Sequence, residues 1–287
     1  MRTIALIAQK GGVGKSTLAI NLAVAAVQAG ETVIGIDTDQ QGTLAAWAAS
    51  RSATTPAIAH IGSREITNLG PLLASARDRY SIAIIDTAGT DSPVTHAAMS
   101  AADLCLVPLR PTRPDGIAVR PTVEALMIGK RRFGFVLSQC PSHNARAREM
   151  AAGLTSIGLL AEPMICTRAD YQDGYAAGQG VTEYAPDGKA AAEIRQLWDW
   201  IARQTTHQPE VAAARRPNVR QSLRLKTSWC GRRSRRSGRH QSSSALTPLH
   251  PVRRGWPRCS EPPSTSIAAS MTFFVTSPMR SASQSPI

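Results

Sequence analysis

The residues with most chemistry to offer lie in one short loop, Gln9–Thr17 (QKGGVGKST), and in two later aspartate-bearing segments, Ile36–Gly42 and Ile84–Gly89. Gly14-Lys15-Ser16 closes the phosphate-binding pattern G-x-x-x-x-G-K-[ST], with Gln9 where its first glycine usually stands. Gly11, Gly12 and Gly14 are expected to take positive φ and turn backbone amides inward around phosphate. Lys15 is expected to reach β/γ-phosphates and Ser16 to place its hydroxyl on Mg²⁺, with Val13 and Thr17 completing the nucleotide-binding stretch. Lys10 is surplus to a nucleotide bound by its own chain. From the N-terminal side of the loop it is expected to point outward and reach the nucleotide of a second subunit placed face to face. Asp37 and Asp39 would repel a triphosphate unless a metal or water intervenes, so their placement points to function. Their other possible role is to cap the helix that starts near Thr43. Asp86 follows an apolar run, as a carboxylate does when it holds Mg²⁺ through water.

These groups need a frame. Apolar runs alternate with helical patterns through residue 205. Strands are expected at Thr3–Ala8, Thr32–Ile36, Ala57–Ile61, Ser81–Asp86, Leu104–Pro108, Arg132–Ser138 and Pro163–Cys166. Helices are expected at Thr17–Ala29, Thr43–Arg51, Ile66–Arg79, Val94–Ala101, Ile117–Ile128, Ala145–Ile157 and Gly188–Arg203. This alternation implies an α/β fold, a mainly parallel twisted sheet with helices on both faces. Ligands bind at the carboxyl ends of strands in such sheets, where Lys15, Asp37 and Asp86 all fall.

The run Lys10–Ser16 (KGGVGKS) resembles the deviant Walker A loop of the ParA/MinD superfamily. The resemblance implies that Lys10 is the signature lysine that crosses a dimer interface, joining Lys15 and Asp39 as the catalytic set. It implies that Asp39 orients the attacking water and that Asp37 supports the Mg²⁺ shell of Ser16 and Asp86. Gln40 stands where the family's D-x-D-P-Q-G has proline. Ala88-Gly89 replace the prolines of D-T-P-P and are expected to make the following loop more flexible. Pro108–Asp115 resembles P-x-x-P-[ST]-x-x-D, which puts Asp115 either at the dimer face or at a helix N-cap. Ser138 stands where relatives contact adenine. Within Thr167–Ala192, Gly178, Gly180, Val181, Glu183, Pro186, Gly188 and Lys189 resemble the end of short ParA-type proteins, which narrows the resemblance to the partition branch.

The resemblance covers residues 2 to about 203 and implies a short-form partition ATPase. Its cofactors would be ATP and Mg²⁺, and its active form a homodimer assembled with ATP. Hydrolysis would be slow until a small centromere-binding ParB/ParG-like activator acts. The dimer would bind DNA without sequence preference, with Arg146, Arg148 and Arg168 as candidate contacts and Lys130-Arg131-Arg132 beside them. Other readings remain within the superfamily: a MinD-like membrane-associated positioning ATPase, or an ATPase assisting conjugal or T-DNA transfer. The membrane reading needs an exposed amphipathic C-terminal helix, whereas the stripe Ile194, Leu197, Trp198 and Ile201 reads as core.

The 287 residues carry a net charge of +13, which at first suggests a nucleic-acid partner. The charge is unevenly placed. Residues 1–208 hold 19 Lys and Arg against 18 Asp and Glu, whereas residues 209–287 hold 14 against 2. Two regions follow: an ATPase domain over 1–208 and an Arg/Ser/Pro-rich tail over 209–287 that is expected to be disordered. The tail's composition resembles translation of a GC-rich region in a shifted frame. Five scattered cysteines give no support for metal ligation or a disulfide framework. Lacking a signal peptide or an apolar run long enough to span a bilayer, the chain is expected in the cytoplasm, associated with the nucleoid.

Overall fold

A computed structural model of the chain describes residues 1–62, 67–142 and 145–206. The tail and His143-Asn144, along with the predicted start of one helix at Ile66, lie outside the described residues. The strands are β1 (Arg2–Leu6), β2 (Val33–Asp37), β3 (Ala57–His60), β4 (Ile82–Asp86), β5 (Leu104–Leu109), β6 (Phe133–Leu137) and β7 (Leu159–Leu160). They form one parallel sheet in the order β3-β2-β4-β1-β5-β6-β7. The helices are α1 (Lys15–Gln28), α2 (Thr43–Ser50), α3 (Leu69–Ala76), α4 (Pro93–Ala101), α5 (Arg113–Ala118), α6 (Arg120–Ile128), α7 (Ala145–Thr155), α8 (Asp170–Ala176), α9 (Val181–Tyr184) and α10 (Lys189–Thr206).

The central strands are near-continuous apolar runs up to the terminal Asp37 and Asp86 because both faces are covered. Successive side chains alternate between two cores. Ile4, Leu6, Ile82, Ile84, Leu104 and Leu106 join α1 and α10 on one face. Ala5, Ile7, Ala83, Ile85, Cys105 and Val107 join residues of α3, α4, α6 and α7 on the other. Each fully buried Leu or Ile contributes roughly 1.5–3 kcal/mol by leaving water. The α10 stripe is core, as expected: Ile194, Leu197 and Ile201 are fully buried and Trp198 nearly so. Trp200 of the same helix rests on Gly134 of β6, where an added Cβ would stand 2.5 Å from its ring.

Three expectations need correction. Pro163–Cys166 is not a strand. Ala161 and Ile165 donate to the β6 carbonyls of Phe135 and Leu137, but Pro163 between them has no N–H to give. The ladder is therefore carried by Leu159–Leu160, with one isolated bridge between Cys140 and Cys166. The helix expected at Ile117–Ile128 is two, α5 and α6, broken at Val119 just before Pro121 in the first turn of α6. The segment before α10 carries α8 and α9, which the apolar pattern does not signal.

That segment explains its own glycines. Gly178 has φ +67°, and a Cβ there would lie 2.7 Å from the Ser50 carbonyl oxygen. A Cβ on Gly180 would meet Val24 of α1 at 2.9 Å. Glu183 accepts from the Gly180 amide and pairs in two-pronged fashion with Arg51, while Asn21 of α1 accepts from Val181 N at 2.7 Å. The matched residues thus clamp α8–α9 onto the helices that follow β1 and β2.

Candidate functional site

Strand register builds the site. In the sheet Asp37 of β2 is the partner of Asp86 of β4, and Asp86 is the partner of Leu6 of β1. Both carboxylates therefore stand at the same level, at the carboxyl edge of adjacent strands beside the loop that leaves β1. Cross-strand bonds fix this edge. Thr38 donates through N and Oγ1 to the Asp86 carbonyl, at 3.0 and 2.7 Å, and Thr87 Oγ1 donates to the Leu6 carbonyl at 2.6 Å.

Gly12 and Gly14 of the loop take φ +71° and +89°, left-handed values that favour glycine. Gly11 does not, contrary to expectation. Its place is set by packing: a Cβ on Gly89 would lie 2.8 Å from Gly11 N. Ala88-Gly89 therefore bring the β4 loop into contact with the phosphate loop, and a bulkier residue at 89 could not come this close. Gly14 caps α1 with no side chain bonded to the helix N-terminus, and no acidic residue lies in the first turn. The leading amides of α1 are thus left for an anion, as at phosphate-binding helix termini.

Lys15 is buried at the start of α1. Burial lowers its pKa, and the nearby Asp86 and Asp39 pull it back up. Asp86 is fully buried, and neither carboxylate oxygen has a hydrogen-bond partner. Burial pushes its carboxyl up to about 7. The Ser16 hydroxyl, close by but outside hydrogen-bond geometry, tempers the rise, Asp37 adds to it, and Lys15 opposes it. A buried carboxylate without donors, beside a serine hydroxyl and a lysine, would suit a hydrated divalent cation.

Asp37 is different. Its Oδ1 accepts from Asp39 N at 3.0 Å and its Oδ2 from Ala45 N at 2.9 Å. Each oxygen is already bonded to a backbone amide, so the residue holds the β2–α2 loop and the first turn of α2. These bonds brace the first turn of α2, the capping role open to this residue. Asp39 is half-buried; its Oδ1 accepts from Gln41 N, and His60 contacts its carbonyl at 3.2 Å.

Two residues on the far side of the loop were not legible in this role. Ser138 Oγ donates to the Val13 carbonyl at 2.7 Å, and Gln139 Nε2 donates to the Gly12 carbonyl at 2.9 Å. Ser138 thereby supports the phosphate loop. Lys10 has a partner of its own: its ammonium pairs with Asp115, which Arg110 also holds. Asp115 is not the N-cap of α5; Thr112 is.

The candidate DNA contacts differ in their surroundings. Arg146 and Arg148 are exposed on α7, flanking the buried Ala147. Arg168 is only partly exposed and pairs with Glu193 of α10. Among the described residues no group of His, Cys, Asp or Glu has the makings of a metal site of its own, and no helix is long and apolar enough to cross a membrane.

The parallel sheet, the glycine loop leading into α1 and the carboxylate at the end of β4 define a P-loop nucleotide-binding domain. The chain belongs to the CobQ/CobB/MinD/ParA nucleotide-binding domain family, which it matches over residues 4–181. It is similar to the maintenance of carboxysome distribution protein A of Halothiobacillus neapolitanus, at 27% identity over 68% of this chain and 94% of the relative. In structure it resembles the cell division ATPase MinD of Pyrococcus furiosus, with a TM-score of 0.60 and 20% identity over 70% of this chain and 98% of the other. It also resembles a putative plasmid partition protein of Borrelia burgdorferi bound to AMPPNP, with a TM-score of 0.56 and 15% identity over 71% and 99% of the two chains.

Proposed function

We propose that this chain is a Mg²⁺-dependent ATPase of the ParA/MinD type whose ATP-bound homodimer positions a cargo by binding DNA non-specifically. The observation that carries the reading is the division of labour between two lysines. Lys15 is buried beside Asp86 in its own phosphate site, while Lys10 stands outside that site with its side chain about one-third exposed. A second lysine placed there is suited to a nucleotide presented by another subunit.

In this reading Gly11–Thr17 and the α1 amides cradle the phosphates, and Lys15 neutralises charge on them. Ser16 and Asp86 hold hydrated Mg²⁺, which supplies charge neutralisation at the β- and γ-oxygens when bound. Asp39, one oxygen of which accepts from the Gln41 amide, orients the attacking water. Positioning and electrostatics then carry catalysis, and a partner protein that stimulates the slow step is part of the proposal. A dimer doubles the number of DNA-phosphate contacts, so nucleotide state controls DNA affinity. Arg146 and Arg148 are the favoured contacts because both are exposed on one helix, α7.

The named relatives serve carboxysome distribution, cell division and plasmid partition. DNA segregation, the purpose suggested by the 167–192 segment, is accordingly one cargo among several for the same engine, and transport of a large protein assembly over the nucleoid is another. The buried α10 stripe disfavours the membrane reading for the described residues, because its apolar face is already spent on the sheet. Cytoplasmic placement and the division into 1–208 and 209–287 belong to this proposal. Its test is Lys10→Ala. Light scattering with Mg²⁺ and ATP is expected to show dimers for the parent and monomers for the variant, with mant-ATP binding retained. Equal dimerisation by both would remove Lys10 from this role.

A further inference from the structure

The carboxyl edge of the sheet carries a further polar side chain beside the site. In register His60 of β3 is the partner of Asp37, which is the partner of Asp86, so three neighbouring strands end in these residues at one level. His60 is exposed there, and its Nε2 lies 3.2 Å from the Asp39 carbonyl oxygen. A carbonyl only accepts, so the contact is a hydrogen bond when Nε2 carries the proton. The next residue, Ile61, ties the same two segments together, donating through N to the Asp37 carbonyl at 2.8 Å.

The turn that His60 touches is otherwise held by local bonds. Gly42 N donates to the Asp39 carbonyl at 3.0 Å, which closes a β-turn over Asp39–Gly42. Gln41 N donates to Asp39 Oδ1 at 3.0 Å, and Asp39 N donates to Asp37 Oδ1 at 3.0 Å. The carbonyl and the carboxylate of Asp39 are thus tied into one turn, and a shift of the turn moves both. Aspartate in the first place and glycine in the fourth are favoured in such turns. Proline is favoured in the second, because its ring fixes φ. The second residue here is Gln40, so the turn lacks that restraint. Among the described residues, the hydrogen bond that reaches Asp39 from another element is that of His60. A carbonyl oxygen has two lone pairs, so it can accept from Gly42 N and from His60 together.

We propose that His60 is a positioning residue for ATP hydrolysis: from the edge strand it braces the Asp39 carbonyl and holds in place the turn that a proline at position 40 would otherwise stiffen. This inference rests on the reading given above, in which Asp39 orients the attacking water. It adds that the orientation is set from β3, outside the loop that carries Asp39. Loss of the brace slows the chemical step and leaves nucleotide binding to the phosphate loop.

The test is steady-state ATP hydrolysis by the full chain with Mg²⁺, for the parent, His60→Ala, His60→Gln, Gln40→Pro and the double variant of His60→Ala with Gln40→Pro, with Asp39→Ala as reference. Affinity for mant-ATP and thermal melting are measured alongside. His60→Ala is expected to lower kcat roughly three- to tenfold, the worth of one ordinary hydrogen bond, with KM for ATP and mant-ATP affinity kept. His60→Gln, whose amide can donate to the same carbonyl, is expected to keep kcat within about twofold of the parent. Gln40→Pro is expected to restore most of the lost rate in the double variant, so that the two changes are not additive. If Gln40→Pro melts below the assay temperature, the contrast between Ala and Gln at position 60 decides. An unmoved kcat in His60→Ala, a raised KM in place of a lowered kcat, a His60→Gln chain as slow as His60→Ala, or a folded double variant no faster than His60→Ala overturns the brace while leaving the role of Asp39 intact. Hydrolysis by Asp39→Ala at the parent rate, or a parent that does not hydrolyse ATP, removes both.

Discussion

The ends of β2 and β4 lie side by side, each finishing in a fully buried aspartate, and the two residues are partners in register. Position, depth and residue type are the same, yet the surroundings differ. Asp37 has a backbone amide on each oxygen, from Asp39 and Ala45. Asp86 has none on either. A buried carboxylate without donors is costly to keep ionised. The contrast separates an aspartate bonded into the frame of the site from one whose oxygens have no donor. The loop chemistry follows: after β2 the chain turns back so that amides face Asp37, whereas after β4 Thr87 and Gly89 turn toward Leu6 and Gly11 and away from Asp86.

Replacing each aspartate tests that contrast. Asp86→Asn is expected to lower Mg²⁺-dependent ATP hydrolysis by about two to three orders of magnitude, as loss of a key electrostatic group does. The same variant is expected to raise the stability of the nucleotide-free chain at pH 8 by roughly 1–2 kcal/mol in urea unfolding, because a buried unpaired charge is gone. An unchanged rate and a destabilised fold would make Asp86 structural. Asp37→Ala is expected to do the reverse: it strips partners from two amides and costs roughly 1–3 kcal/mol of stability. Activity then falls only as far as the loop bearing Asp39 loosens, and titration of Mg²⁺ against rate shows little change in the midpoint.

Acid sharpens the comparison. Asp86 has a folded pKa of about 7 against an ordinary value of 3.8, so the folded state binds this proton more tightly than the unfolded one. Its contribution to stability is fully present below about pH 4 and is lost as pH rises through about 7. Subtracting the melting profile of Asp86→Asn from that of the parent isolates this window; a flat difference between pH 4 and 8 would contradict it. Cation binding should release the same proton, so Mg²⁺ affinity rises across pH 7. The smallest effect concerns the strap between the strands. Thr38→Val removes one hydrogen bond to the Asp86 carbonyl while the Thr38 amide keeps the other, so roughly 0.5–1.5 kcal/mol is at stake.

How far the sequence foretold this depends on the distance over which each feature is decided. The phosphate loop was legible because its glycines and lysine act within nine residues and announce themselves by spacing. The sheet was legible because unbroken apolar runs ending in Asp37 and Asp86 read as strands buried on both faces. The stripe on α10 was legible because core contact repeats at helical spacing. The opposite surroundings of Asp37 and Asp86 were not: residue type is identical, and the deciding amide of Ala45 is placed by a turn. The support from Ser138 and Gln139 comes from more than a hundred residues away, so nothing near the loop marks it. Pro163 carried a warning that the apolar run around it masked. Gly178 and Gly180 could be matched to relatives, but their reason, close approach to Ser50 and Val24, is tertiary.

In the proposed cycle ATP, through a dimer, switches the folded region onto DNA. The most direct measurement is co-sedimentation with random-sequence DNA at moderate salt, with Mg²⁺ and either ATP or ADP, for the full chain and for residues 1–208. The truncation matters because the tail alone brings 14 basic residues against 2 acidic. The expected result is that residues 1–208 pellet with DNA in ATP and stay in solution in ADP, and that Lys10→Ala abolishes the difference. Equal binding in both nucleotides, or none in either, would contradict the switch.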